Sequence, residues 1–199
     1  MIDAPWNIVL TLLFVFTGAV CARELIVRRG RPRTQSGVSD DAVIDITHLV
    51  MSAAMILMLW VMVIDAVTWA QVALFAVFAL ALVPAFRTSR DGAARISLAG
   101  HVVLDAAMIW MLAAMPLLMS DMPMSGGGHA AHHGGMAMAE PTPTPVWADV
   151  VNGVFIVLCL AVALWWAVQL VRVRGHRLHA SCHLLMGAGM AAMLWLMNA

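Results

Sequence analysis

Six stretches of 17 or more residues run through this chain with almost no charge: Trp6–Ala22, Ile46–Val63, Trp69–Phe86, Leu98–Met119, Val146–Val171 and Cys182–Ala199. A helix rises about 1.5 Å per residue, so each is long enough to cross roughly 30 Å of hydrocarbon. Hydrophobic residues fill 63% of the 199 positions and charged residues only 11%, more apolar surface than one soluble core of this size can hide. The excess must face lipid. These features predict an all-α integral membrane protein of six transmembrane helices, a single membrane domain over residues 1–199 whose first partner is the lipid bilayer. No stretch reads as a soluble domain and no GxxxxGK[ST] motif occurs, so coupling to ATP hydrolysis within the chain is not expected. Neither enzymatic activity nor a nucleic-acid partner is expected. Its protein partners the sequence leaves open.

The charges are sorted although they sum to zero. Arg23, Arg28, Arg29, Arg31 and Arg33 follow the first span, Arg87, Arg90 and Arg95 the third, and Arg172, Arg174 and Arg177 the fifth. By the positive-inside rule these three loops are cytoplasmic, which puts both termini and the long loop 120–145 outside. The basic cluster follows the first apolar run instead of preceding it, so that run is expected to remain as a span and not to act as a cleaved signal. The expected location is a bacterial plasma membrane, crossed several times.

The even-numbered spans share a repeat. His48, His101 and His183 align, and seven, ten and fourteen residues beyond each stands methionine: Met55, Met108 and Met190, then Met58, Met111 and Met193, then Met62, Met115 and Met197. Three residues beyond the histidines stand Met51, Leu104 and Met186. The odd spans each open on a tryptophan, Trp6, Trp69 or Trp147. The chain therefore reads as three helical hairpins, 1–63, 64–119 and 146–199, with pseudo-threefold symmetry about the membrane normal and a flexible outer loop over 120–145. That loop carries Gly126-Gly127-Gly128 and a Pro-Thr-Pro-Thr-Pro run ending at Pro145.

At 100° per residue the shared offsets fall within an arc of roughly 80°, so each even helix presents its His and Met residues as one narrow heptad seam. If the three seams meet, the thioethers stack in layers over roughly 21 Å, with the histidines ringing the cytoplasmic end. Thioether sulfur is a soft, neutral ligand that favours Cu(I), and successive weak sites permit an ion to pass along them. Of 17 methionines, all but Met1 lie on the even spans or the outer loop. Packing alone is the competing explanation, since methionine fills irregular cores well, but leucine would serve that purpose equally. The outer loop adds Met122, Met124, His129, His132, His133, Met136 and Met138, a Cys-free His/Met set suited to capturing copper, Cu(II) included, in an oxidising compartment.

Other residues carry less. Asp105 breaks the repeat, its equivalents being Ser52 and Gly187, and either exchanges charge with a histidine or is simply hydrogen-bonded within the bundle. Gly187 and Gly189 permit close helix approach. Cys21, Cys159 and Cys182 form no CxxC pair and read as packing residues, although a thiolate near Cu(I) would be a competent ligand, while His176 and His179 fall in a basic loop and read as solvated.

The HxxM starts, His48 to Met51 and His183 to Met186, with the methionines that follow them, resemble an actinobacterial family of Met- and His-rich multi-span membrane proteins of unknown function. The resemblance spans nearly the whole chain and implies no activity. The MxxxM spacings Met51–Met55, Met111–Met115 and Met186–Met190 are similar to those of the trimeric methionine-triad copper transporters. Six spans, an outside C-terminus and no cytoplasmic Cys/His tail set this chain apart, so the likeness is mechanistic. The expectation is thus a copper-handling membrane protein, binding or conducting Cu(I). Its rivals are a membrane redox protein holding haem b on two membrane histidines or on a His and a Met, and a structural subunit with a methionine-packed core.

Overall fold

The computed structural model describes residues 4–29, 40–60, 65–118, 144–172 and 177–197. Every regular element among them is a helix: α1 (Ala4–Arg29), α2 (Asp40–Trp60), α3 (Asp65–Thr88), α4 (Gly92–Leu118), α5 (Val146–Arg172) and α6 (Arg177–Leu196). All six contain a segment long and apolar enough to cross a membrane. Apart from α5, the helices begin earlier than the apolar runs that announce them. α4 starts at Gly92 because the Asp91 carboxylate accepts hydrogen bonds from the backbone N–H groups of Ala93 and Ala94, at 3.2 and 3.3 Å, capping the first turn.

The even helices lie inside and the odd helices outside. Of the apolar window of each helix, 50%, 44% and 50% is buried in α2, α4 and α6, against 28%, 11% and 17% in α1, α3 and α5. Each odd helix packs most extensively on the even helix that follows it, and also on another even helix: α1 on α6, α3 on α2, α5 on α4. The six therefore close into one ring in which the three even helices lie on the inner side. α2 makes few close backbone approaches to α4 or α6, so long side chains fill the middle. Each outer helix buries a stripe of residues, in α1 Leu10, Phe14, Thr17 and Cys21, and turns Leu12, Leu80 and Leu164 outward, all about two-thirds exposed. Such a surface is stable in lipid and nowhere else.

Small residues and internal hydrogen bonds lock the ring. A Cβ on Gly187 would stand 3.3 Å from that of Ala163, and one on Gly189 3.1 Å from the Phe14 ring, so these glycines let α5 and α1 settle against α6. The Trp60 indole donates to Thr11 Oγ1 at 2.9 Å, tying α2 to α1. Trp110 donates to Asn152 Oδ1 at 3.4 Å, and Asn152 Nδ2 donates to the Leu194 carbonyl at 3.0 Å, joining α4, α5 and α6. Without water these groups have to be satisfied within the protein.

A Gly189→Val substitution forces its methyl groups onto Phe14 and Leu13. It should lower stability by about 1–3 kcal/mol, seen as an earlier thermal unfolding transition of the detergent-solubilised protein, with the helical content unchanged before melting.

Candidate metal centre

The three inner helices carry one histidine each to the same level, roughly 9–14 Å along the helix from its first residue. The rings of His48, His101 and His183 meet pairwise, with centroids 5.0 Å (His48–His101), 4.5 Å (His48–His183) and 4.8 Å (His101–His183) apart. All three residues are buried, and one ring nitrogen from each lies within 4.8 Å of the other two. Among the described residues they form a group able to share one metal ion.

Hydrogen bonding assigns the proton on His48. Its Nδ1 stands 2.9 Å from the Ile44 carbonyl, which can only accept, so Nδ1 carries the hydrogen and Nε2 presents a lone pair. That lone pair faces His183 Nδ1 at 3.2 Å, which donates to it. His101 Nδ1, by contrast, is buried with no hydrogen-bond partner. A backbone carbonyl holding the far nitrogen of a ring is how metal-binding imidazoles are commonly oriented.

Trp166 of α5 seals the site, its ring centroid 5.0 Å from that of His101 and 4.9 Å from that of His183. Gly100 makes the seat, since a Cβ there would lie 3.2 Å from the indole. One helical turn beyond His101, both oxygens of the buried Asp105 carboxylate lack a hydrogen-bond partner. The purely hydrogen-bonded role open to it in the sequence is not what the structure provides. An acid in such a place is stable only as the neutral form or beside a cation.

Beyond the histidines the methionines continue inward-facing. Met51 and Met186 are buried beside Leu104, followed by Met55, Met108 and Met190, then Met111, Met193 and Met197, all in one continuous core cluster. Met58 and Met115 pack on that cluster half-buried, so burial loosens away from the histidines. None of these side chains is fully exposed at the lipid-facing surface. Met62 and the loop residues Met122, Met124, His129, His132, His133, Met136 and Met138 lie outside the described residues.

The structure also recruits residues that the repeat does not signal. His179, solvated on the sequence reading, sits one turn before His183 on α6 with its ring 4.2 Å away, and its Nδ1 is 3.9 Å from the buried Asp45 carboxylate. Its i−4 spacing from His183 is the one clue the sequence holds. Cys21 and Cys182, far apart in the chain, bring their sulfurs to 3.3 Å. No spacing rule links them. The imidazole rings pack directly on one another, leaving no slab between any pair for a porphyrin.

The model of the family described as Domain of unknown function (DUF5134) matches residues 40–197, from the first residue of α2 to Met197, so α1 lies outside the match. No curated protein and no solved structure matches the chain.

Nitrogen-15 NMR of imidazole-labelled protein in detergent should find His48 as the Nδ1–H tautomer. A dominant Nε2–H form would contradict the Ile44 hydrogen bond.

Proposed function

Because the chain belongs to the DUF5134 family, whose description assigns no activity, we propose a function from its own residues: a multi-pass copper-handling protein of the plasma membrane that binds or conducts Cu(I). The observation that carries this reading is the meeting of three buried imidazoles at one end of a buried methionine cluster. Imidazole accepts copper in either oxidation state, whereas thioether selects Cu(I) and is indifferent to Zn(II), Mg(II) and Ca(II). The unpartnered carboxylate of Asp105 supports a cation in the same region.

In this reading α1–α2, α3–α4 and α5–α6 are the three hairpin repeats, related by a pseudo-threefold axis along the methionine column. The outer Met/His loop collects the ion, the methionine layers hold or pass it, and His48, His101 and His183 form the cytoplasmic end. The direct ring contacts among His48, His101 and His183 disfavour haem b held between two of them. A methionine-packed structural core remains the reading that the experiment below separates from this one.

Replacing Met55, Met108 and Met190 together by leucine keeps the volume and removes three sulfurs from one level. Purified wild-type protein under reducing conditions should bind Cu(I), or Ag(I) as a stable substitute. The triple variant should lose at least one ion per chain, or weaken its binding about 10–100-fold or more, while melting within a few degrees of wild type. Equal binding by both would leave the methionines as packing.

The orientation is tested by impermeant thiol labelling of intact cells. A cysteine replacing Thr142 should react from outside, and one replacing Ser36 only after the membrane is opened. The reverse pattern would invert the path.

A further inference from the structure

We propose that Cys21 and Cys182 form a second Cu(I) site, of two sulfurs, beside the imidazole trio. Both thiols are free and buried, on α1 and α6, with their sulfurs 3.3 Å apart. Cys182 Sγ donates to the Thr17 carbonyl at 3.5 Å, so Cys21 supplies the hydrogen between the two sulfurs. Cys182 directly precedes His183, whose Nδ1 contacts His48, so the sulfur pair and the imidazoles occupy one level of the bundle.

The chemistry distinguishes this pair from every other ligand in the chain. Methionine and neutral histidine bind Cu(I) without charge, whereas two thiolates bind it as anions and hold it far more firmly. On ligation two S–H bonds break, their protons pass to the buffer, and two S–Cu bonds form, giving a bis-thiolate Cu(I) unit with no change in the oxidation state of sulfur or copper. Ligands then strengthen from the thioether layers to the level shared by the imidazoles and the thiolates, and the thiolate pair is where an ion comes to rest. This inference rests on the copper reading above and adds to it a terminal site involving α1, the helix outside the family match.

Cys159 is the internal comparison. It is equally buried and free, but it lies on α5, where its carbonyl packs on Gly187. Full-length protein in detergent, kept reduced by a non-thiol reductant, is titrated with Cu(I) against a chromogenic Cu(I) chelator. Wild type and Cys159→Ser should both retain one ion that the chelator does not remove. Cys21→Ser and Cys182→Ser should each lose that ion, with at least a hundredfold fall in affinity, and should still bind weakly through methionine and histidine.

Retention of the tight ion by both single variants would overturn the thiol site and leave the copper reading standing. Absence of Cu(I) binding in wild type would overturn both. Where a variant fails to fold, the Cys159→Ser protein decides the matter, because Cys21 and Cys182 are its remaining thiols. Near-ultraviolet thiolate-to-copper charge-transfer absorption on adding Cu(I) is then expected, and its absence would refute the proposal.

Discussion

A polar ring placed in hydrocarbon has to be answered from within the protein, and the rest of this bundle is arranged around that demand. Three imidazoles meet at one level, one fixed by the carbonyl of its own helix, one by its neighbour, one with a nitrogen left open. The rings meet and the methionines beyond them share one cluster, so α2, α4 and α6 run in the same direction. Parallel helices cannot be joined by short turns, so an antiparallel helix is needed between each pair. α3 and α5 supply these return paths, and together with α1 they close the gaps facing lipid, which is why the three are apolar on nearly all sides.

The division between inner and outer helices follows from side-chain length. Helices that approach through glycine and alanine come close, as α5 and α6 do at Ala163 and Gly187. The inner three stay farther apart, and the space between them is filled by unbranched methionine and by histidine. A thioether chain bends to fit such a space, and the same flexibility lets sulfur turn towards an ion without moving the backbone.

Much of this architecture is legible in the amino-acid sequence. Six apolar runs define the helices, and the heptad of His and Met marks the buried face of each inner one, because periodicity and burial have the same cause. The starts of helices are less visible: α4 begins at the Asp91 cap and not at its first apolar residue. Contacts between helices distant in sequence leave no trace in it. Cys21 meets Cys182 and Trp166 lies on His101 because α1 and α5 dock in particular registers, which depend on the fit of Phe14 to Gly189 and of Trp166 to Gly100. His179 looks like a loop residue because its helix starts earlier than the apolar run that announces it, and that early start brings it within a turn of His183.

The common direction of the inner helices also shapes the field within the bundle. Each carries about half a positive elementary charge at its N-terminus and half a negative one at its C-terminus. In α2, α4 and α6 the three positive ends gather near the histidines and the three negative ends at the opposite mouth, with the outer helices offsetting part of this from the periphery. On the copper reading proposed above, a Cu(I) ion would be drawn towards the mouth farthest from the imidazoles and would meet a rising potential on approaching them. The buried Asp105 carboxylate, one turn beyond His101, lies within the same gradient, and in its ionised form it would offset part of it. The gradient set up by three parallel helices is a property of their common direction, independent of which side chains line the bundle.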